Sequence, residues 1–172
     1  KLKKMKKIDY ISHKMDKLID FTGKLSSWFV PLLILIIFIS VILRYFFSIG
    51  FTWLQDLYIW IHAAIILCGS AYTLKFNEHV RIDIIYRNSS NLYKNIINFF
   101  GLTLFSLPFC FLMIDKGFDY FFRSFLLDES SKETGGLENI YILKFLIFFM
   151  GITLLIQIIN LLFKIIKGKK WS

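Results

Sequence analysis

Four runs in this chain contain no charged residue: 25–43, 57–74, 95–114 and 145–163, of 19, 18, 20 and 19 residues. As helices they would each cover roughly 27–30 Å, against a bilayer hydrocarbon core of about 30 Å. A spanning strand needs only about 10 residues with alternating polarity, a pattern absent here. Inside lipid a helix satisfies its own backbone N–H and C=O groups, which favours it over any open alternative. The fold class that follows is all-α: an integral membrane four-helix protein made of two helical hairpins. The parts are a segment 1–24, a membrane domain 25–163 and a basic tail 164–172.

Composition agrees with that reading. The chain is 56% hydrophobic with a mean hydropathy of +0.61, whereas soluble domains run nearer 45–50% apolar. The net charge of +9 would suit a nucleic-acid partner in a soluble protein. Here the basic residues border apolar runs, which points to topology and anionic lipid headgroups, with no nucleic acid. Eight lysines precede the first run, four Lys and Arg lie between the second and third, and four lysines follow the last. The other two loops hold one and four basic residues. By the positive-inside rule both termini are cytoplasmic, and loops 44–56 and 115–144 face outward. The first run is too long for a signal-peptide core and no A-x-A site follows it, so it is expected to remain as an anchor.

Ahead of the first run, Ile8, Ile11, Met15, Leu18, Ile19 and Leu25 recur at helical spacing among Lys and Asp. This predicts an N-terminal amphipathic interfacial helix. Residues 128–138, DESSKETGGLE, read as a flexible outward loop. Cys68 and Cys110 sit inside apolar runs and lack disulfide or zinc spacing.

Catalytic, cofactor and metal signatures are missing: there is no G-x-S-x-G, and His62 has no second histidine at its depth. His62 is expected to be a hydrogen-bonded packing residue. Ala64, Cys68 and Ala71 form a small-residue strip that suits close helix approach. Gln157 and Asn160 share one helix face, and two amides are costly against lipid, so they are expected to face other helices. Trp53, Asp56 and Trp60 lie on one stripe of the second run, and Arg44 ends the first. Arg44 and Asp56 are expected to pair across the short loop. Beyond the second run, Glu78, His79, Arg81 and Asp83 crowd together. Asp83 is expected to cap the following helix or to bond Arg81 or His79.

In these residues the chain resembles the small membrane subunit of TRAP transporters, the DctQ type. The matching pieces are RYFF at 44–47, Trp53 with Asp56, Gly69, and HVRID at 79–83. Many members carry Glu where Asp56 stands. WLQDLYIWIHAA and the later Gly-Gly-Leu look like the branch named for mannitol and chloroaromatics. The resemblance implies a non-enzymatic subunit without cofactors in a bacterial or archaeal inner membrane. It implies a large multi-span permease and an extracytoplasmic solute-binding protein as partners, in sodium-coupled uptake of an organic acid. A haem- or quinone-binding four-helix anchor of a redox enzyme is the competing class; it would give a Soret band.

The charge asymmetry makes a direct prediction. Reporter fusions should place Lys132 outside and Lys169 inside; a cytoplasmic signal at Lys132 would invert the topology.

Overall fold

In the computed structural model, residues 2–79 and 90–167 are described, and among them all regular structure is helical. The elements are α1 (Leu2–Phe46), α2 (Thr52–Lys75), α3 (Asn91–Phe100), a wider π-helical stretch Gly101–Ser106, α4 (Leu107–Leu126) and α5 (Tyr141–Ile166). Four helices are long and apolar enough to cross a membrane: Asp9–Phe46, Thr52–Lys75, Leu92–Leu126 and Tyr141–Ile166.

These helices outrun the charge-free stretches that announce them. The 45 residues of α1 amount to about 68 Å of helix, more than twice a hydrocarbon core. The N-terminal segment is therefore continuous with the first span. Its Ile19 is fully buried, while Ile11, Leu18 and Leu25 stay 40%, 45% and 48% exposed. The third span also continues, through Asp115, Lys116, Asp119 and Arg123. Pro108 explains the π-helical stretch just before it. Proline has no N–H to donate four residues back and its ring crowds that carbonyl, so the turn widens. Ser106 Oγ donates to the Gly101 carbonyl at 3.3 Å across that turn.

α5 is the post of the molecule. It packs against α4 on one side and against α1 and α2 on the other, and α1 and α2 pack on each other. No contact between α4 and either α1 or α2 was found among the described residues. Among the described residues the two hairpins thus meet chiefly through α5, with Asp56 of α2 also reaching the 127–140 loop. Accordingly α5 buries seven residues: Lys144, Gly151, Thr153, Gln157, Ile158, Asn160 and Leu161. Ile158 and Leu161 join Leu102 and Cys110 in the apolar core beneath the third span. Both cysteines are free.

Glycines set the two closest crossings. A Cβ on Gly117 would lie 3.1 Å from the Phe148 backbone, and one on Gly151 3.1 Å from the Ile114 backbone nitrogen. At the α1–α2 crossing, Gly23 lies directly under the Tyr72 ring, and a Cβ on Gly69 would be 3.4 Å from Ser26 Oγ. The helices approach this closely because these side chains are absent.

Both ends of the molecule follow. Lys167 beside Asp9 brings the chain ends to one end, here the terminal end. The loops 47–51 and 127–140 form the opposite, loop end. Gly117→Leu should force α4 from α5 and lower stability by about 1–3 kcal/mol through overpacking, read as a lower unfolding midpoint in detergent. Gly50→Leu, with open space around it, should not.

Candidate functional site

At the terminal end a carboxylate gathers three helices. Asp16, on α1, accepts from Lys164 Nζ of α5 through both oxygens at 2.9 Å, and from Asn160 Nδ2 at 2.8 Å. Lys75, the last residue of α2, lies 3.8 Å from the same carboxylate and 2.5 Å from Asp20 Oδ1. Ser12 Oγ donates to Asn160 Oδ1 at 2.6 Å. The stripe Ser12, Asp16, Ile19, Gly23, Ser26 at spacings of three and four turns one face of α1 inward. That polar stripe, rather than the apolar one, meets the polar face of α5, because Asn160 and Lys164 need partners there. Gln157 and Asn160 are 0% exposed, and they face helices of this same chain. Both polar atoms of Gln157 lack a hydrogen-bond partner.

At the loop end a second carboxylate does similar work. Asp56 Oδ2 accepts from the Leu137 backbone N–H at 2.9 Å, a contact between residues 81 positions apart. Of the expected pairing of Arg44 and Asp56, by salt bridge or through water, the direct ion pair is not formed: the carboxylate turns towards loop 127–140 instead. Gly136 makes this possible, since a Cβ there would lie 2.5 Å from Asp56 Oδ2. Gly135 adopts φ +75°, a conformation glycine holds without strain. The loop is closed by Ser131 N–H to the Leu137 carbonyl and Ile140 N–H to the Glu129 carbonyl, both 2.9 Å. Lys144, 7% exposed, pairs with Glu129 and stacks 4.0 Å over the Tyr120 ring. The hydrogen bond from Lys144 holds the Glu129 carboxyl below its usual value of 4.5. Residues 128–138 are thus anchored rather than loose.

The other predicted residues fall as follows. Trp53 is 44% exposed near the start of α2, with Trp60 half-buried two turns on. His79 Nε2 donates to the Ser70 carbonyl at 3.1 Å, folding back over the end of α2. Arg81 and Asp83 lie outside the described residues. The cap of α3 is Ser90, whose side chain accepts from Tyr93 N–H at 3.4 Å. His62 is exposed and has no hydrogen bond among the described residues, so within this chain it does not fill the hydrogen-bonded packing role expected of it. It sits near the middle of α2, on one face with exposed Ile59 and Ile66.

Sequence reasoning missed the partners of both carboxylates. Gly135-Gly136 was a usable signal, because paired glycines mark either a loose loop or a close approach.

Among the described residues no group of His, Cys, Asp and Glu could hold a metal ion. The arrangement is built to hold helices and to present faces. Comparison with known proteins gives the same kind of answer. Residues 33–168 match the family described as tripartite ATP-independent periplasmic transporters, DctQ component. The chain belongs to the DctQ family. It is therefore the small membrane component of a TRAP transporter, a membrane transport protein. No curated protein and no solved structure matches it. Within this DctQ chain, the match begins inside the first span and takes in Arg44, Asp56, His62 and the Asn160–Lys164 face.

Two outcomes test the loop anchor. Asp56→Leu should raise deuterium uptake by 129–137, lowering the opening free energy by about 1.5–3 kcal/mol for a lost charged hydrogen bond; Asp56→Asn should change it less. The Glu129–Lys144 tie should be fully present above pH 4.5 and lost as the pH falls through the depressed value of Glu129. Uptake corrected for intrinsic exchange should then rise on acidification in the parent and rise less in Glu129→Gln.

Proposed function

We propose that this DctQ subunit is a scaffold that packs one face of α2 against the large permease subunit and helps to dock an extracytoplasmic solute-binding protein. The observation that carries this reading is the exposed His62 at the middle of a span. A polar side chain at bilayer depth is expensive against lipid and usually faces protein. Ile59, His62 and Ile66 share one exposed face, so a partner helix laid along them would cover the imidazole and give it a hydrogen-bond partner.

The same proposal places the terminal end in the cytoplasm and the loop end outside, following the basic residues. Residues 1–24 lie at the cytoplasmic interface, where exposed Ile11, Leu18, Phe21 and Leu25 meet acyl chains and the lysines meet phosphates. The loop end, with Asp56 holding 127–140, is the surface offered to the binding protein. The system imports an organic acid across an inner membrane with a coupled ion, and this subunit alone neither binds nor carries it.

Cysteines at His62 and Ile66 should each form a crosslink with the co-expressed large subunit, while a cysteine at Leu35, on an exposed face of α1, should not. Proteoliposomes with this chain and a binding protein, but no large subunit, should show background uptake. Crosslinking confined to α1, or uptake by this chain alone, would overturn the proposal.

A further inference from the structure

The loop end also contains a cavity of about 490 Å³ between the end of α1 and the start of α2. Its polar lining is Ser40, Arg44, Ser48, Thr52, Gln55 and Tyr58. We propose that this cavity binds the phosphate of an anionic glycerophospholipid, with the Arg44 guanidinium as its principal ligand.

Three observations converge. Arg44 makes no ion pair and no side-chain hydrogen bond with the described residues, although it stands beside four hydroxyls and an amide. A guanidinium offers a planar fork of donors that matches two phosphate oxygens. The hydroxyls and the Gln55 amide supply further donors at the same place. The start of α2, with no side-chain cap and no acidic residue in its first turn, adds partial positive charge to this cavity; the site itself stands on the cavity and Arg44.

The rim decides between a lipid and a free anion. Phe51 lines the cavity, and next to its lining residues in the chain stand Tyr45, Phe46, Phe47 and Trp53; the five are, in chain order, 78%, 82%, 62%, 44% and 44% exposed. A loop in bulk water would not present so many aromatics together, whereas the headgroup–acyl boundary is where such rings reside. A polar cavity inside an aromatic rim fits a headgroup with its chains lying on the rings. No acidic residue lines the cavity, so the ammonium of a zwitterionic headgroup finds no partner. That selects an anionic headgroup.

The test uses the full chain in its native membrane and a photoactivatable phosphatidylglycerol, with labelled positions read by peptide mapping. Label is expected at 40–58 in the parent and in Lys116→Gln, a distant charge control. Arg44→Gln should lose label at 40–58 by roughly fivefold or more, with Arg44→Lys intermediate because the charge remains but the fork is lost. Label elsewhere on the chain should be unchanged, which separates site loss from misfolding. Should Arg44→Gln fail to accumulate, Gln55→Ala must show the reduced label. Excess inorganic phosphate should not compete. Equal labelling of the parent and Arg44→Gln would overturn the site. Competition by inorganic phosphate would overturn the lipid as its occupant.

Discussion

Asp16 is the point through which three helices are tied. Its carboxylate takes both a lysine and an amide from α5 and lies beside the lysine that ends α2. Its side chain is 21% exposed, and those of Lys164 and Lys75 are 25% and 15%. At that depth the ions are partly dehydrated, so breaking a pair costs more than the less than about 1 kcal/mol of an exposed one, though less than the roughly 3–5 kcal/mol of a fully buried one. The apolar effect cannot do this job here, because lipid is as apolar as the side chains and gives helices no reason to associate. Polar ties and close glycine crossings are what remain, and this chain uses both.

The ties leave most of each span facing outward. α1 and α2 cover one side of α5 and α4 covers another, and among the described residues α4 does not pack along α1 or α2. A protein stable and complete in isolation would be expected to close its bundle. An open arrangement, fixed at one end by Asp16 and at the other by Asp56, suits a component that shows a set face to a larger membrane partner. His62 lies on that face halfway between the two ties.

Much of the fold was legible in the sequence. Four charge-free runs of bilayer length announced the four spans. The limits of the spans were less legible. A run ends at its first charge, but a helix does not, and Asp115, Lys116 and Asp119 continue one without breaking it. The inward face of α1 was also hidden. Ile11, Leu18 and Leu25 made the more visible stripe, yet it is the face carrying Ser12 and Asp16 that turns to α5, where polar partners await it. The bond from Leu137 to Asp56 was not legible, because a contact 81 residues away leaves no local pattern. Gln157 and Asn160 were legible as inward-facing because amides have few other places to go in a membrane.

The most direct measurement is a double-mutant cycle on Asp16 and Lys164, using Asp16→Leu, Lys164→Leu and the pair, read as the unfolding midpoint of the purified complex. Each single change should strand a partly buried charge and lower stability, and the double change should lose less than the two together. The coupling should be about 0.5–3 kcal/mol. Additive losses would mean that Asp16 and Lys164 do not act on each other, and that something other than this carboxylate holds α1 to α5.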